Sequence, residues 1–147
     1  MAIHNPFSTY QITVPKKYSD EIKKFCKQNN TDAKNEEYVP FNRQVDLWYF
    51  AFLYAVKEKL QPEHISGADM SNIIAASILT DHHIIHIQMW YLSKHLDIEA
   101  LNEPRDMFTA VSDLANAGIP YVLQILNDMD EGKPLFNVLD TIEDNIR

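Results

Sequence analysis

Apolar residues are concentrated in one continuous block near the middle of the chain. From Leu47 to Val56 ten apolar residues follow one another, and five of the seven residues from 48 to 54 are aromatic. If the segment 41–60 is a helix, its apolar side chains point in every direction around the helix axis. Such a helix must be covered on most sides, by its own chain or by another chain. The pattern therefore predicts a central helix over 41–60, against which the other elements pack.

The segment before this helix predicts a short strand and an amphipathic helix. Apolar and polar residues alternate over 10–14, which is the period of a β-strand. Pro15 ends the strand, and apolar residues then recur at helical spacing among lysines, which predicts a helix over 15–28. A polar linker over 29–40 follows. Asn42 is the expected N-cap of the central helix.

Helical spacing of apolar residues continues through the rest of the chain. It predicts helices over four further segments, namely Gly67–Thr80, 81–95, 104–118 and 120–132. The pattern leaves open whether residues 68–95 form one helix or two. Gly118 and Pro120 mark the expected break between the last two helices, because glycine commonly ends a helix and proline commonly begins one. An apolar stripe in the tail, 133–147, predicts a docked or partner-bound helix.

Together these segments predict a mainly α protein, a single compact helical domain of about six helices with one short N-terminal strand. An N-terminal arm over 1–9 precedes a strand–helix–helix part over 10–60, a helical part over 61–132 and the docked tail over 133–147. The length of 147 residues is that of one ordinary domain. Three glycines in the whole chain are too few for a turn-rich all-β fold.

Composition narrows the cellular setting and the class of partner. The single cysteine, Cys26, rules out an internal disulfide and fits a reducing cytosol. The chain shows no export signal, and no apolar run reaches the roughly 20 residues of a membrane span, so we expect a cytoplasmic protein that binds no membrane. The net charge of −8 lies entirely in residues 97–147, which hold eleven acids and three bases. Such an acidic surface repels nucleic-acid phosphates.

The histidines are the first candidates for chemistry. His82 and His86 are four residues apart on one predicted helix face, which is a spacing compatible with a metal ion, and Asp81 could be a third ligand. The glutamate of the metalloprotease motif is absent, because His83 follows His82. Histidines exposed at a helix start, or hydrogen-bonded in an interface, are the alternative. A small metal-dependent enzyme built on His82 and His86 stays one hypothesis.

No other catalytic signature is present, so we expect no enzymatic activity and no cofactor. Cys26 stands mid-helix beside an aromatic residue, which indicates a buried thiol rather than a nucleophile. Arg43 and Asp46 stand three residues apart at the start of the central helix and are expected to pair. If one face of that helix is open, these two residues, with Trp48 and Tyr49, are the expected partner-binding residues.

The order of strand 10–14, helix 15–28 and helix 41–60 is that of a ribbon-helix-helix DNA-binding domain. In that class two chains pair their strands, and polar strand residues enter the major groove. Here the residues in those positions are Gln11 and Thr13 in the strand, followed by Lys16 and Lys17 for phosphates. The linker between the helices is longer than in typical members, and the exposed strand could instead add to the sheet of another protein.

Three blocks of the sequence carry a family resemblance. They read ITVPKKYSDEIKKF, PFNRQVDLWYFAFLYAVKEK and ANAGIPYVLQIL. In their apolar pattern and their Ala-Asn-Ala-Gly turn they resemble a small accessory-protein family found beside bacterial DNA-phosphorothioation and other phage-defence gene clusters. The resemblance covers much of residues 10–127 and contains no catalytic motif. It implies a non-catalytic component of a defence complex that works with a larger ATPase or nuclease.

The leading hypothesis is therefore a helical adaptor subunit of an anti-phage defence complex. It predicts stable protein–protein contacts with a larger subunit, and a homo- or hetero-oligomer in which any contact with nucleic acid is indirect. The first alternative is a ribbon-helix-helix-like DNA-binding protein or regulator. The second is the metal-dependent enzyme.

Overall fold

The structure is a computed structural model that describes residues 4–26, 41–128 and 142. In this part of the chain four α-helices and a two-stranded antiparallel sheet are formed, which confirms the predicted mainly α class. The elements are, in order, β1 (Gln11–Pro15), α1 (Ser19–Lys24), α2 (Gln44–Lys57), β2 (Met70–Ala75), α3 (Asp81–His95) and α4 (Pro104–Leu126). The predicted linker over 29–40 and, except for residue 142, the docked tail over 133–147 lie outside the described residues.

The core is built around α2, as the apolar block of the sequence predicts. Helix α2 packs most extensively against α4. The largest fully buried side chains come from nearly every element, namely Trp48, Phe7, Phe25, Phe52, Ile12, Ile22, Leu47, Ile84, Ile87, Met107, Ile119 and Val14. Burial of each such side chain contributes roughly 1.5–3 kcal/mol before the loss of chain entropy is subtracted. Helix α2 is thus mainly a core element.

Helix α4 runs without interruption through Gly118 and Pro120, so the predicted break between two helices there is wrong. Gly118 is buried against α2, where a β-carbon would meet the backbone of Ala51. Glycine is present because it allows close helix contact, rather than because the helix ends. Pro120 cannot donate a hydrogen bond to the carbonyl of Asn116. Burial of apolar residues on both sides of Pro120 keeps the helix continuous despite this loss.

The segment Gly67–Thr80 does not form the predicted α-helix. Residues 68–95 therefore form neither one helix nor two, because only residues 81–95 are α-helical. Its centre is strand β2, which pairs antiparallel with β1, with a register shift between Ile12 and Thr13. A short apolar run does not distinguish a strand from a helix by itself. Pairing decides here, because β1 would otherwise bury backbone groups without partners.

The elements on either side of the 29–40 linker differ in detail from their predictions. The helix predicted over 15–28 is a 3-10 turn over Lys16–Tyr18 followed by the six residues of α1. The N-cap of α2 is Arg43 rather than Asn42, and no side chain caps the helix. The helix start instead carries the acid Asp46 in its first turn, which stabilises the positive end of the helix dipole.

Helix α3 forms over the predicted residues and begins with a reciprocal cap. The Thr80 hydroxyl accepts a hydrogen bond from the backbone N–H of His83, and the backbone N–H of Thr80 donates to His83 Nδ1 at 3.1 Å. This arrangement satisfies two backbone donors that a helix start leaves without partners.

Among the described helices, none combines the length and apolar character needed to cross a membrane.

Candidate functional site

Two groups of residues that the sequence places on different helices meet in the structure. The Tyr49 hydroxyl hydrogen-bonds to His86 Nδ1, and the ring centres of Tyr49 and His83 lie 4.4 Å apart in an edge-to-face arrangement. One turn earlier on α2, Arg43 and Asp46 form the predicted ion pair, with Nη2 and Oδ1 3.1 Å apart. We call these five residues the α2–α3 corner. It brings three of the predicted partner-binding residues, Arg43, Asp46 and Tyr49, next to His83 and to one member of the predicted histidine pair, His86.

The electrostatics of the α2–α3 corner centre on His83. Partial burial lowers the pKa of this imidazole, and the Asp46 carboxylate opposes that effect, while the Arg43 guanidinium and the neighbouring His86 reinforce it. Burial also raises the pKa of the Tyr49 phenol. Neutral imidazole and neutral phenol are therefore favoured, and both can donate and accept hydrogen bonds. Such a corner is suited to polar recognition.

A metal centre built from Asp81, His82 and His86 is not supported by the geometry. Across residues 4–26, 41–128 and 142, no three His, Cys, Asp or Glu side chains are grouped so that they could hold a metal ion. One nitrogen of His86 already bonds Tyr49. Asp81 lies in the first turn of α3, where its charge favours the helix dipole. The predicted spacing on one helix face is present, but a third ligand is not brought to it.

Trp48 is removed from the set of partner-binding residues, because its side chain is fully buried. Its ring stacks against Phe108 of α4, with 6.2 Å between ring centres. Arg43 remains exposed, and Asp46 and Tyr49 are half-buried. A partner could therefore touch these three residues, while Trp48 belongs to the core between α2 and α4.

Exposed apolar residues are concentrated on α3 and in the segment that directly follows it. Eight large hydrophobic side chains are exposed in the described part of the chain, and four of them lie between residues 85 and 98. We call these four the α3 surface; they are Ile85, Met89, Leu96 and Ile98. Met89 is 62% exposed and Leu96 is 86% exposed. His82 and His86 are also exposed on this helix, and His86 of the α2–α3 corner directly follows Ile85 in the sequence.

The residues predicted to enter a DNA groove occupy a different setting. Gln11 and Thr13 line a polar groove of about 560 Å³ between the sheet and α4. The predicted order of strand, helix and helix is present as β1, α1 and α2, and β2 of the same chain pairs with β1 along one edge. Lys16 and Lys17 are exposed in the turn after β1. Pairing of β1 between two chains, which a ribbon-helix-helix dimer requires, and DNA contact through these four residues stay predictions.

Sequence reasoning missed the residues that fasten the connector after α2 onto α4. His64 Nδ1 lies 3.0 Å from Asp113 Oδ1, the backbone N–H of Glu63 donates to the Asp113 carbonyl, and Asn116 Nδ2 donates to the Glu63 carbonyl. These three bonds hold the connector against one face of α4. No periodic pattern marks residues 61–66, so nothing in the sequence pointed to them.

Neither a family model, nor a curated protein, nor a solved structure was found to match this chain.

Proposed function

We propose that this chain is a non-catalytic adaptor subunit that binds a larger protein through the α3 surface and the adjoining α2–α3 corner. The observation that carries the proposal is the concentration of exposed apolar side chains over residues 85–98. Single exposed hydrophobic residues are ordinary, whereas several on one surface rimmed by polar groups are typical of protein–protein interfaces. Here the polar groups next to Ile85 are those of the α2–α3 corner, because His86, which follows Ile85, bonds to Tyr49.

The backbone at Leu96 supports the same conclusion. This residue ends α3 in the left-handed conformation, with φ of 53°, and its side chain is 86% exposed. Glycine or asparagine is the usual residue at such a position, because a side chain with a β-carbon is strained there. Leucine at this position lowers the stability of the isolated chain, and its exposed side chain leaves apolar area in contact with water. A partner that covers Leu96 would compensate for both costs.

The class of partner is taken from the resemblance of three sequence blocks to accessory proteins of phage-defence gene clusters. That resemblance supports a larger ATPase or nuclease as the partner, in the bacterial cytoplasm. The apolar character of the α3 surface supports a stable complex, either with that subunit or in a homo-oligomer that presents it. About 25 cal/mol is gained for each Å² of apolar surface that the contact removes from water.

The test is co-purification with proteins encoded by neighbouring genes, using Met89→Glu and Ile85→Glu. Both residues are exposed, so each variant should fold, as judged by an unchanged circular dichroism spectrum and unfolding temperature. Each should lose the partner, because a carboxylate cannot be buried against an apolar surface without a large desolvation cost.

The matched control is Tyr121→Glu, which makes the same change at an exposed aromatic residue of α4. This variant should co-purify with the partner as the wild-type chain does. Wild-type partner recovery by both α3 variants would remove the α3 surface from the proposal. A strictly monomeric chain that captures no neighbouring gene product would remove the adaptor function itself.

A further inference from the structure

A second groove lies where the ends of α2 and α3 approach α4. Its volume is about 510 Å³, within the range of small-molecule sites. The wall is largely apolar and includes Trp90 of α3 together with Ala110 and Leu114 of α4. We call it the cationic groove, for the charges that line it. It is separate from the α2–α3 corner, which lies at the opposite end of α3.

Among residues 4–26, 41–128 and 142, no aspartate or glutamate lines the cationic groove. The lining residues that carry or can take up a positive charge are Lys59, Lys94 and, on protonation, His95. The chain as a whole carries a net charge of −8, so the charge of the groove is opposite in sign to that of the whole chain. Two carboxylates outside the lining act on it electrostatically, because Asp106 and Glu103 lie within reach of Tyr91, and Glu103 also within reach of His95. An anionic ligand is favoured by this arrangement.

Lys59 stands at a position where its side chain costs stability. It follows α2 in the left-handed conformation, with φ of 55°, and the next backbone N–H, that of Leu60, bonds back to the Ala55 carbonyl at 2.9 Å. Helices that end in this way usually have glycine in the left-handed position, because glycine adopts positive φ without steric strain. A lysine at this position gives up that advantage and supplies an ammonium group to the groove.

The wall also contains a hydrogen-bond donor without an acceptor. The indole Nε1 of Trp90 is buried and has no hydrogen-bond partner in the described structure. A buried donor left in that state costs roughly 1–3 kcal/mol.

From these features we propose that the cationic groove binds a small organic anion with an apolar body, whose charged end is a carboxylate or a phosphate. The apolar body lies against Trp90 and Leu114. The charged end pairs with the ammonium groups of Lys59 and Lys94. None of the residues that line this site belongs to the α3 surface.

The test uses four probes that share one octyl chain: octanoate, octyl phosphate, octanol and octylammonium. Binding is followed by nuclear magnetic resonance, through the indole N–H signals of the chain's two tryptophans. The Trp90 signal, identified by its loss in Trp90→Phe, should move with octanoate or octyl phosphate, while the Trp48 signal stays in place. Whichever of the two anions binds more tightly identifies the charged end as a carboxylate or a phosphate.

The lysines are tested by Lys94→Gln and Lys59→Gly, each of which should weaken binding of the anion by about fivefold. Lys57→Gln is the matched control, because it removes an exposed lysine of α2 that does not line the groove, and it should leave the affinity unchanged. Lys59→Gly should not lower the unfolding temperature, so its weaker binding cannot be attributed to unfolding. Equal binding of octanol or octylammonium, an unmoved Trp90 signal at millimolar probe, or unchanged affinity in both groove variants would overturn the proposal.

Discussion

Gly118 of α4 lies directly against the backbone of Ala51 of α2. A β-carbon at position 118 would come within 2.1 Å of the Ala51 carbonyl oxygen and within 2.9 Å of its carbonyl carbon. The obstructing atoms are backbone atoms of a buried helix, so they cannot rotate away as a flexible side chain could. Since α2 and α4 form the most extensively packed pair of elements in the core, this contact limits how closely these two helices can approach each other.

We expect Gly118→Ala to lower the free energy of unfolding by about 3 kcal/mol or more, because α2 and α4 must separate to admit the methyl group. In an ordinary helix the same substitution raises stability by about 1 kcal/mol. Urea unfolding followed by circular dichroism measures the difference. Gly67→Ala is the matched control, because nothing lies within 4 Å of a β-carbon there, and it should change stability by less than about 0.5 kcal/mol. Equal stability of Gly118→Ala and wild type would contradict the contact.

The Gly118 contact also explains why the helix break that the sequence predicts at this point is absent. A glycine with a proline two residues later usually marks the boundary between two helices, and that interpretation uses only neighbouring residues. The structure keeps one helix, because the position is occupied by glycine for a contact with Ala51, which is distant in sequence. The same reasoning applies to β2, since only pairing with β1 distinguishes its short apolar run from a helix. By contrast, α2 and α3 follow from their own residues and are found where predicted.

The candidate site was predictable as residues but not as an arrangement. Arg43 and Asp46 pair as their spacing on one helix indicates. Tyr49 and His86 were both singled out, but their hydrogen bond depends on how α2 and α3 are oriented, which no spacing within one helix defines. Lys59 lies inside the predicted helix 41–60, and its left-handed conformation is a property of the folded chain that no sequence pattern indicates.

Trp48→Ala should destabilise the fold rather than release a partner selectively. The side chain is fully buried, and its removal leaves a cavity between α2 and α4, so we expect a loss of about 3–5 kcal/mol in the free energy of unfolding. Leu53→Ala on the same helix is the comparison, because Leu53 is 41% exposed and should cost about 1 kcal/mol or less. Chemical denaturation of both variants measures the contrast. If Trp48→Ala folds with near wild-type stability, the core position of Trp48 is contradicted and Trp48 returns to the candidate partner-binding residues.

Cys26 should be unreactive in the folded chain. The thiol is buried, and burial together with the nearby Asp46 carboxylate raises its pKa to about 12. Because the thiolate is the reactive form, a disulfide reagent such as dithionitrobenzoate should label the protein slowly at mildly alkaline pH and rapidly after addition of denaturant. Asp46→Asn should leave this protection in place, since burial is the larger cause. Rapid labelling without denaturant would show that the thiol is accessible.

His83 should make stability depend on pH. Its pKa in the folded chain is lowered, chiefly by burial, so the unfolded chain binds the proton more readily. Stability is then fully present above the ordinary histidine pKa and is lost as the pH falls below it, down to the lowered pKa of the folded state. Protonation has a second consequence in the structure, because a charged imidazole can no longer accept the Thr80 backbone N–H at Nδ1.

His83→Gln removes both contributions, because glutamine can complete the same reciprocal cap but does not titrate. The variant should keep α3 intact and should lose less stability than the wild-type chain between about pH 8 and about pH 5, as measured by urea unfolding at each pH. His82→Gln, which changes an exposed neighbour, should retain the wild-type pH dependence. If His83→Gln and wild type lose the same stability on acidification, protonation of His83 is not coupled to folding, and the buried position of its imidazole against Tyr49 must be abandoned.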